Sequence, residues 1–556
     1  CSLVLSMFSL KTTSNGPNVS LSVHVCVSKA CMATLGVASM TLLFTLSKRQ
    51  GWLSSTKSGS KFVKSSCSKS SNESSNAFLD ATNPKDFQEW GKELLLWITD
   101  YRDKCKSLPV ISRVEPNYLQ KALPLAAPET AEGWKSIMSD LDSKILPGIT
   151  HWEASNNFFA YFKPHSSYPA VLGEMLCAGL NVMGFDWIAS PACTELEVVT
   201  LDWLARLLNL PERFMGGSEG PGGGVIQGSA GESATVVLLA ACVKKEKKQP
   251  ERSKMVVYVS DQTHAIAQKA TMILGIRCRV VKTSFENGFA MQAADLDKAV
   301  EEDVKMGLTP IAAVATTGTT SSCAFDPLVP IAECCKKRGM WLHVDAAYGG
   351  AYACLDEMAD KFEGLDDVDS FCVNCHKKLL CPFDIAALYV ANRRPILDAL
   401  SLQPEYLRNA HSESGAVVDF EHWQMPLGRR FRSLKLWFVM RRFGAEGMRF
   451  HVRNGTVLAN YFAGLVEANP ELEISVPVSL SLVCFRWKGR GEEDQRRLLD
   501  AVKATGKCFI IHTKLDLDGS GKGQIVIRVA CGGIEQTKED VKKCYDVING
   551  ELQKLI

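Results

Sequence analysis

Aspartate and glutamate are absent from the first 72 residues, although eight basic residues fall there: Lys11, Lys29, Lys48, Arg49, Lys57, Lys61, Lys64 and Lys69. Acid-free, serine-rich, basic sequence builds no packed core and has the composition of an organelle transit peptide. Setting those eight aside leaves 55 of the chain's 63 basic residues against 61 acidic ones. The remainder is mildly acidic, which removes any electrostatic case for gripping nucleic acid. Long apolar runs are missing from this front segment too. Residues 32–46 (MATLGVASMTLLFTL) fall short of the ~20 a spanning helix needs, so no stable membrane insertion is expected. They have the length of a signal-peptide core, and Met32 is a candidate initiator. Cys372 and Cys375 form a CxxC, but no second pair and no His-x-His cluster stands at zinc-site spacing. The twenty cysteines are scattered, several inside apolar runs (Cys242, Cys354, Cys484), and read as buried thiols in a reducing compartment. Internal repeats are absent. What remains is a chain of 556 residues, 46% hydrophobic, with core enough for two or three domains and a small molecule as its partner.

Several kinds of element are present. Residues 65–76 (SSCSKSSNESSN) read as a linker, which makes 1–80 a presequence or a tail. The protein is accordingly expected in the cytoplasm, or in a plastid or mitochondrion if that segment is a transit peptide. Order begins near Asn83, an N-cap candidate. Apolar residues at Phe87, Trp90, Leu94, Leu95, Ile98 and Tyr101 then give the period of an amphipathic helix. A second helical pattern covers 131–145, and an aromatic run, HWEASNNFFAYF, covers 151–162. From about Gly222 short apolar strands alternate with helical stretches: GGGVIQGS, MVVYVS, CRVVKT, PIAAVATT, MWLHVDAAY and SFCVNCHKK. That alternation predicts an α/β layer architecture with ligands beyond the carboxyl ends of the strands. From about Lys435 a long helix, the strand LSLVCFRW, another helix and the strand QIVIRVA read as a smaller α/β domain.

Three segments carry chemistry. Gly228-Ser229-Ala230-Gly231-Glu232 lies at a strand-to-helix junction, where backbone N–H groups and the positive helix end suit a phosphate; an ordinary helix start fits equally. His343-Val344-Asp345 puts a carboxylate at the end of an apolar strand, which calls for a cationic partner, either a protonated ring nitrogen or a structural salt bridge. Asn374-Cys375-His376-Lys377-Lys378 follows another strand. A lysine there can lose its proton by desolvation and form a Schiff base, or it can belong to a solvated pair.

Their order, glycine-rich turn, then Asp, then His-Lys about thirty residues on, resembles the pyridoxal 5′-phosphate (PLP)-dependent decarboxylases of the aromatic amino acid group. The resemblance runs from about Pro84 to the C-terminus through SPACTELE, GVIQGSA, SDQTH, TTGTT, HVDAAY, HKK, PEYLRN and HWQMPLGRRFRSLK. It implies an α/β fold of the aspartate aminotransferase type (fold type I). This comprises a helical segment at 81–166 that locks a homodimer with shared active sites, a large PLP-binding domain at 167–434 with a mixed seven-stranded sheet, and a small α/β domain at 435–556. It implies that Lys377 carries the cofactor and that Asp345 pairs with the pyridine nitrogen. His264 should stack on one ring face and Ala347 pack on the other, with Thr320 close by. Ala230, Gly231, Ser370, Asn374 and His376 are implied around the phosphate. Trp152, Tyr161 and Phe185 are implied as substrate-pocket walls, some from a neighbouring subunit, and Tyr406 as a mobile-loop tyrosine that arranges proton delivery to Cα. The reaction implied is loss of the α-carboxylate from tryptophan, tyrosine, dopa or phenylalanine, giving CO2 and an arylalkylamine.

The chain departs from that family at several points. Cys375 and Lys378 replace the usual Pro and Trp, Gly231 replaces a hydroxyl residue, and Lys163 replaces a Pro. HWEASNNFF is one residue longer than its animal counterparts. Lys378 is expected to add a cation near the cofactor. Gly428 stands where histidine- and plant tyrosine-selective relatives often carry Ser, which argues for a roomier pocket that takes tryptophan or a broad range. Two other readings stay open: an aromatic aldehyde synthase of the same fold, in which Tyr406 or His264 would typically be changed, and a non-catalytic scaffold, motivated by Cys375 and Lys378.

Overall fold

The computed structural model describes residues 82–217, 220–246, 251–402 and 417–556. The expected presequence at 1–80 and Tyr406 lie outside them. β1 (Gly223–Gln227), β2 (Met255–Ser260), β3 (Arg277–Val281), β4 (Thr309–Thr316), β5 (Trp341–Asp345), β6 (Ser370–Val373) and β7 (Ala386–Val390) form a seven-stranded sheet in the order β1-β7-β6-β5-β4-β2-β3. β7 runs antiparallel to both neighbours and the other pairings are parallel, so the sheet is mixed, as implied. Successive residues of each inner strand enter different cores. Ile226, Tyr258, Ala313, Leu342, Phe371 and Ala387 join one cluster. Val225, Val257, Ala312, Trp341, Cys372 and Leu388 join the other. Both faces are thus covered, which is why these strands read as unbroken apolar runs. β3 is an edge, and its exposed Arg277 discourages further pairing.

β9 (Leu482–Trp487) and β11 (Gln524–Ala530) are the two strands visible in the C-terminal sequence. β8 (Leu472–Ile474) and β10 (Ile511–Leu515) complete an antiparallel sheet in the order β10-β11-β9-β8. A third core, including Phe462, Phe485, Leu498 and Ile548, packs helices Glu492–Thr505 and Lys538–Leu555 against it. The preceding helix, Ser433–Glu467, breaks at Gly444, whose φ of 64° interrupts helical geometry. The limit expected at 434/435 falls in its first turn.

The first helix, Pro84–Lys104, is capped by Asn83, whose side chain accepts the Lys85 N–H at 3.0 Å. Its apolar stripe is real but buries nothing within one chain: Phe87, Trp90, Leu94, Leu95 and Leu96 are exposed. Every cysteine among the described residues is free, and all but Cys278 are buried. Cys372 sits in β6 as expected, while Cys375 opens a one-turn helix after it. Among the described residues no helix is long and apolar enough to cross a membrane.

Candidate active site

β1, β2, β4, β5 and β6 all end on one edge of the large sheet, and their following turns enclose a cleft of about 540 Å³. The β1 turn contributes Ser229, Ala230 and Gly231. Ser229 Oγ accepts the Glu232 N–H at 3.2 Å, and the Glu232 carboxylate accepts the Gly228 N–H at 2.9 Å, which pins the start of helix Ala230–Glu246. The first-turn N–H groups at Ala230 and Gly231 have no acceptor inside the helix and suit an anion. A Cβ on Gly231 would come no nearer than 3.6 Å to its neighbours, so this glycine leaves open space where a side chain would fit.

β5 ends in Asp345, whose Oδ1 accepts the Ala347 N–H at 3.0 Å, turning the chain sharply and leaving Ala347 on the cleft wall. β6 is followed by Asn374 and the turn Cys375–Lys378, which places Lys377 in the cleft with Asp345. Burial pushes the Lys377 amine below the usual lysine range, and Asp345 opposes that shift by favouring the cation. His376 is fixed by its Nδ1, 2.9 Å from the Ile385 carbonyl oxygen, and burial with the Lys377 charge lowers its pKa to about 4. Asn374 donates its backbone N–H to the Ala347 carbonyl at 3.1 Å, while its buried Oδ1 has no hydrogen-bond partner among the described residues. His264 caps helix Ala265–Leu274 at the cleft rim after β2, and Thr320 stands exposed after the neighbouring strand β4.

Ala230, Gly231, His264, Thr320, Asp345, Ala347, Asn374, His376 and Lys377 therefore meet in one cleft. Ser370 does not join them. It opens β6, and its Oγ bonds Trp341 Nε1 and His343 Nδ1, each at 2.8 Å, within the sheet. Trp152, Tyr161, Phe185 and Gly428 also lie off this cleft. Trp152 and Tyr161 stack with ring centroids 5.2 Å apart and stay 38% and 43% exposed. Lys378 does not supply the cation expected beside the cleft: it is buried, and its Nζ donates to the Gly532 carbonyl at 3.0 Å.

Sequence reasoning missed Gly318, Tyr348, Phe383 and Met425 as cleft residues. Gly318 carried a signal, since TTGTT follows a strand. Its φ is +86°, and a Cβ there would sit 2.9 Å from the Gly349 Cα, so only glycine fits. Tyr348 closes the HVDAAY segment directly after Ala347, Phe383 follows Lys377 by six residues, and Met425 comes to the cleft from a distant segment.

The donor set fits a phosphate-bearing aldehyde with a basic ring nitrogen. A desolvated amine would hold the aldehyde carbon, a carboxylate would hold the protonated ring, and the free helix N–H groups would hold the phosphate. Comparison with known proteins agrees. Residues 116–488 match the pyridoxal-dependent decarboxylase conserved domain. The chain is 43% identical over 489 residues to phenylacetaldehyde synthase of Arabidopsis thaliana, covering 86% of this chain and 98% of that protein. It is 43% identical over 441 residues to aromatic-L-amino-acid decarboxylase of Mus musculus, covering 78% and 91%. The crystal structure of Oryza sativa TDC with PLP and tryptamine superposes with a TM-score of 0.83 at 35% identity, covering 85% of this chain and 99% of that one. The fold, the cleft and these matches together place the chain in the family of pyridoxal-dependent decarboxylases, enzymes of fold type I.

Proposed function

We propose that the protein removes the α-carboxylate from aromatic L-amino acids and releases CO2 and the arylalkylamine. The observation that carries this reading is the pairing of an enclosed Lys377 amine with Asp345 in one cleft. Lys377 would hold PLP covalently, Asp345 its ring nitrogen, and Ala230, Gly231, Asn374 and His376 its phosphate. PLP, when bound, supplies the sink for the electrons released as the Cα–carboxylate bond breaks. The chain's own residues do the rest. Desolvation lowers the Lys377 pKa and so favours its nucleophilic neutral form, and the Asp345 carboxylate holds a positive charge at the cleft floor. Tyr406, which lies outside the described residues, would deliver a proton to Cα.

The aromatic walls, Trp152, Tyr161 and Phe185, with Gly428, complete the substrate pocket when a second copy docks. The exposed stripe on helix Pro84–Lys104 and the exposed Trp152–Tyr161 stack support a homodimer with shared sites. The 43% identity to an aldehyde synthase keeps oxidative formation of an aldehyde as a second reading. The intact His264 and Tyr406 favour the amine. The scaffold reading loses its motive, because neither Cys375 nor Lys378 lines the cleft. A panel of tryptophan, tyrosine, dopa, phenylalanine, histidine and glutamate, assayed for amine and aldehyde, tests the proposal. Amine from an aromatic substrate is expected, with tryptophan accepted; preference for histidine or glutamate over every aromatic would overturn it.

A further inference from the structure

Two departures from the family, Lys163 and Lys378, lie far apart in sequence and meet in one buried spot. The residues are 6% and 2% exposed. Lys378 Nζ donates to the Gly532 carbonyl at 3.0 Å. Lys163 Nζ lies 3.5 Å from the carbonyl oxygens of Trp152 and Ser155 and 3.9 Å from the Glu153 carboxylate. Glycines make the room: a Cβ on Gly455 or Gly532 would run into Lys378 Nζ, and one on Gly533 into Lys163 Nζ. Glu153 Oε1 accepts the Ile534 N–H at 3.1 Å, and its Oε2 is buried without a hydrogen bond. The cluster therefore joins three segments: the turn that carries Lys377, the aromatic segment 152–163, and the loop that follows β11.

Burying these charges is costly, and an apolar pair of similar volume would be cheaper for folding. Two such charges in so tight a space point to a task other than stability. The titratable groups that face Lys378 are Glu153, Lys163, Cys531, His165 and His451. Both histidines are driven towards the neutral form by burial and by the lysines. They bond each other, His451 Nε2 to His165 Nδ1, at 3.0 Å. Burial also lowers Lys378 to about 8, with Glu153 raising it and Lys163 lowering it further.

We propose that Lys378 is a positioning residue: its head locks the Lys377 turn to the loop after β11, Lys163 and Glu153 tie the aromatic segment to the same lock, and the charge on Lys378 sets an alkaline limb of turnover. The catalytic half of this inference rests on the decarboxylase reading above, whereas the lock itself does not.

The Lys378→Met holoenzyme should bind PLP, unfold at the same temperature or higher, lose turnover by roughly tenfold to a hundredfold, and lack the limb. Two charge variants move the limb in opposite directions, which a purely structural role would not do. Glu153→Gln keeps an oxygen for the Ile534 N–H but removes the charge that favours protonated Lys378, so the limb should shift to lower pH. Lys163→Met removes a repelling charge, so it should shift to higher pH. The cofactor-free protein supplies an independent readout. A depressed lysine pKa makes stability rise with pH from about 8 towards the ordinary lysine value, and Lys378→Met should flatten that rise. If the chain proves not to be a decarboxylase, the stability profile still tests the lock. Full turnover with an unchanged limb in Lys378→Met, or an unmoved limb in both charge variants, would overturn the proposal. So would an alkaline stability profile that Lys378→Met leaves unchanged. Should Lys378→Met fail to fold, the opposed shifts decide alone.

Discussion

His264 Nδ1 accepts the backbone N–H of Ile266 at 3.2 Å, so one ring nitrogen caps a helix and the proton of the neutral ring sits on Nε2. Burial lowers the pKa of this histidine, with Asp345 raising it and Lys377 lowering it, which favours that neutral form. The helix cap made by His264 and the catalytic role proposed for its ring are therefore separable.

Replacing His264 by Ala should cost about 1 kcal/mol through the lost cap and also lower turnover. Asn at this position offers a side-chain oxygen to the same N–H. His264→Asn should recover the stability measured by urea unfolding without recovering turnover. Parental turnover in His264→Asn would show that the ring does nothing beyond capping.

Lys377 and Lys378 are adjacent but face different surroundings, the cleft and the Gly532 carbonyl. Lys377→Ala should abolish the visible absorbance of bound cofactor and all turnover. Lys378→Ala should retain that absorbance and measurable activity, since the covalent attachment point survives. The reverse pattern in spectra and rates would mean that the two lysines had been assigned the wrong way round.

His343 is buried in the sheet, where its Nδ1 meets Ser370 Oγ at 2.8 Å and burial lowers its pKa to about 4. An unfolded histidine takes up its proton near pH 6.5, whereas this one resists until pH falls to about 4. Its contribution is fully present above pH 6.5 and lost as pH falls from there to about 4. Urea unfolding of the cofactor-free protein against His343→Gln isolates it. The stability gap between them should shrink by on the order of 2–3 kcal/mol between pH 7 and pH 4. A gap that stays constant over that range would contradict the neutral buried state.

Strands that end in a lone charged residue were the legible part of this chain. Asp345 stood out because it ends an apolar strand, and Lys377 because it lies in the turn just beyond one, where α/β sheets place ligands. Ser370 was misplaced because resemblance marks a position but not a distance. It opens a strand whose far end leads to Asn374, and at ~3.3 Å per residue that is too far for its hydroxyl to reach the cleft. Lys378 was read as a cation near the cofactor. Consecutive residues on a helical turn point about 100° apart, which turns its head away from the cleft that Lys377 enters and towards the Gly532 carbonyl. Trp152, Tyr161, Phe185 and Gly428 do not line the cleft, and periodicity in a single sequence carries no information about surfaces that a second copy would complete.

The last prediction concerns Tyr406, which lies outside the described residues and whose role rests on the segment Pro404-Glu405-Tyr406-Leu407. After CO2 leaves, Cα is electron-rich, and the product depends on whether a proton or oxygen reaches it first. A tyrosine hydroxyl has a pKa of about 10 and can donate that proton, while closure of its loop would exclude oxygen. Phe keeps the ring and its apolar packing but has no proton to give. Tyr406→Phe should therefore continue to release CO2 while its product shifts from amine to aldehyde. Each aldehyde formed should consume one O2 and one water and release one CO2, one ammonia and one hydrogen peroxide, so that the atoms balance. Amine, aldehyde and peroxide measured with and without oxygen decide the matter. Aldehyde should vanish under anaerobic conditions, and amine as the sole product in air at an unchanged rate would leave Tyr406 without a part in protonation. His264, whose Nε2–H remains free of the helix cap, would then be the better donor.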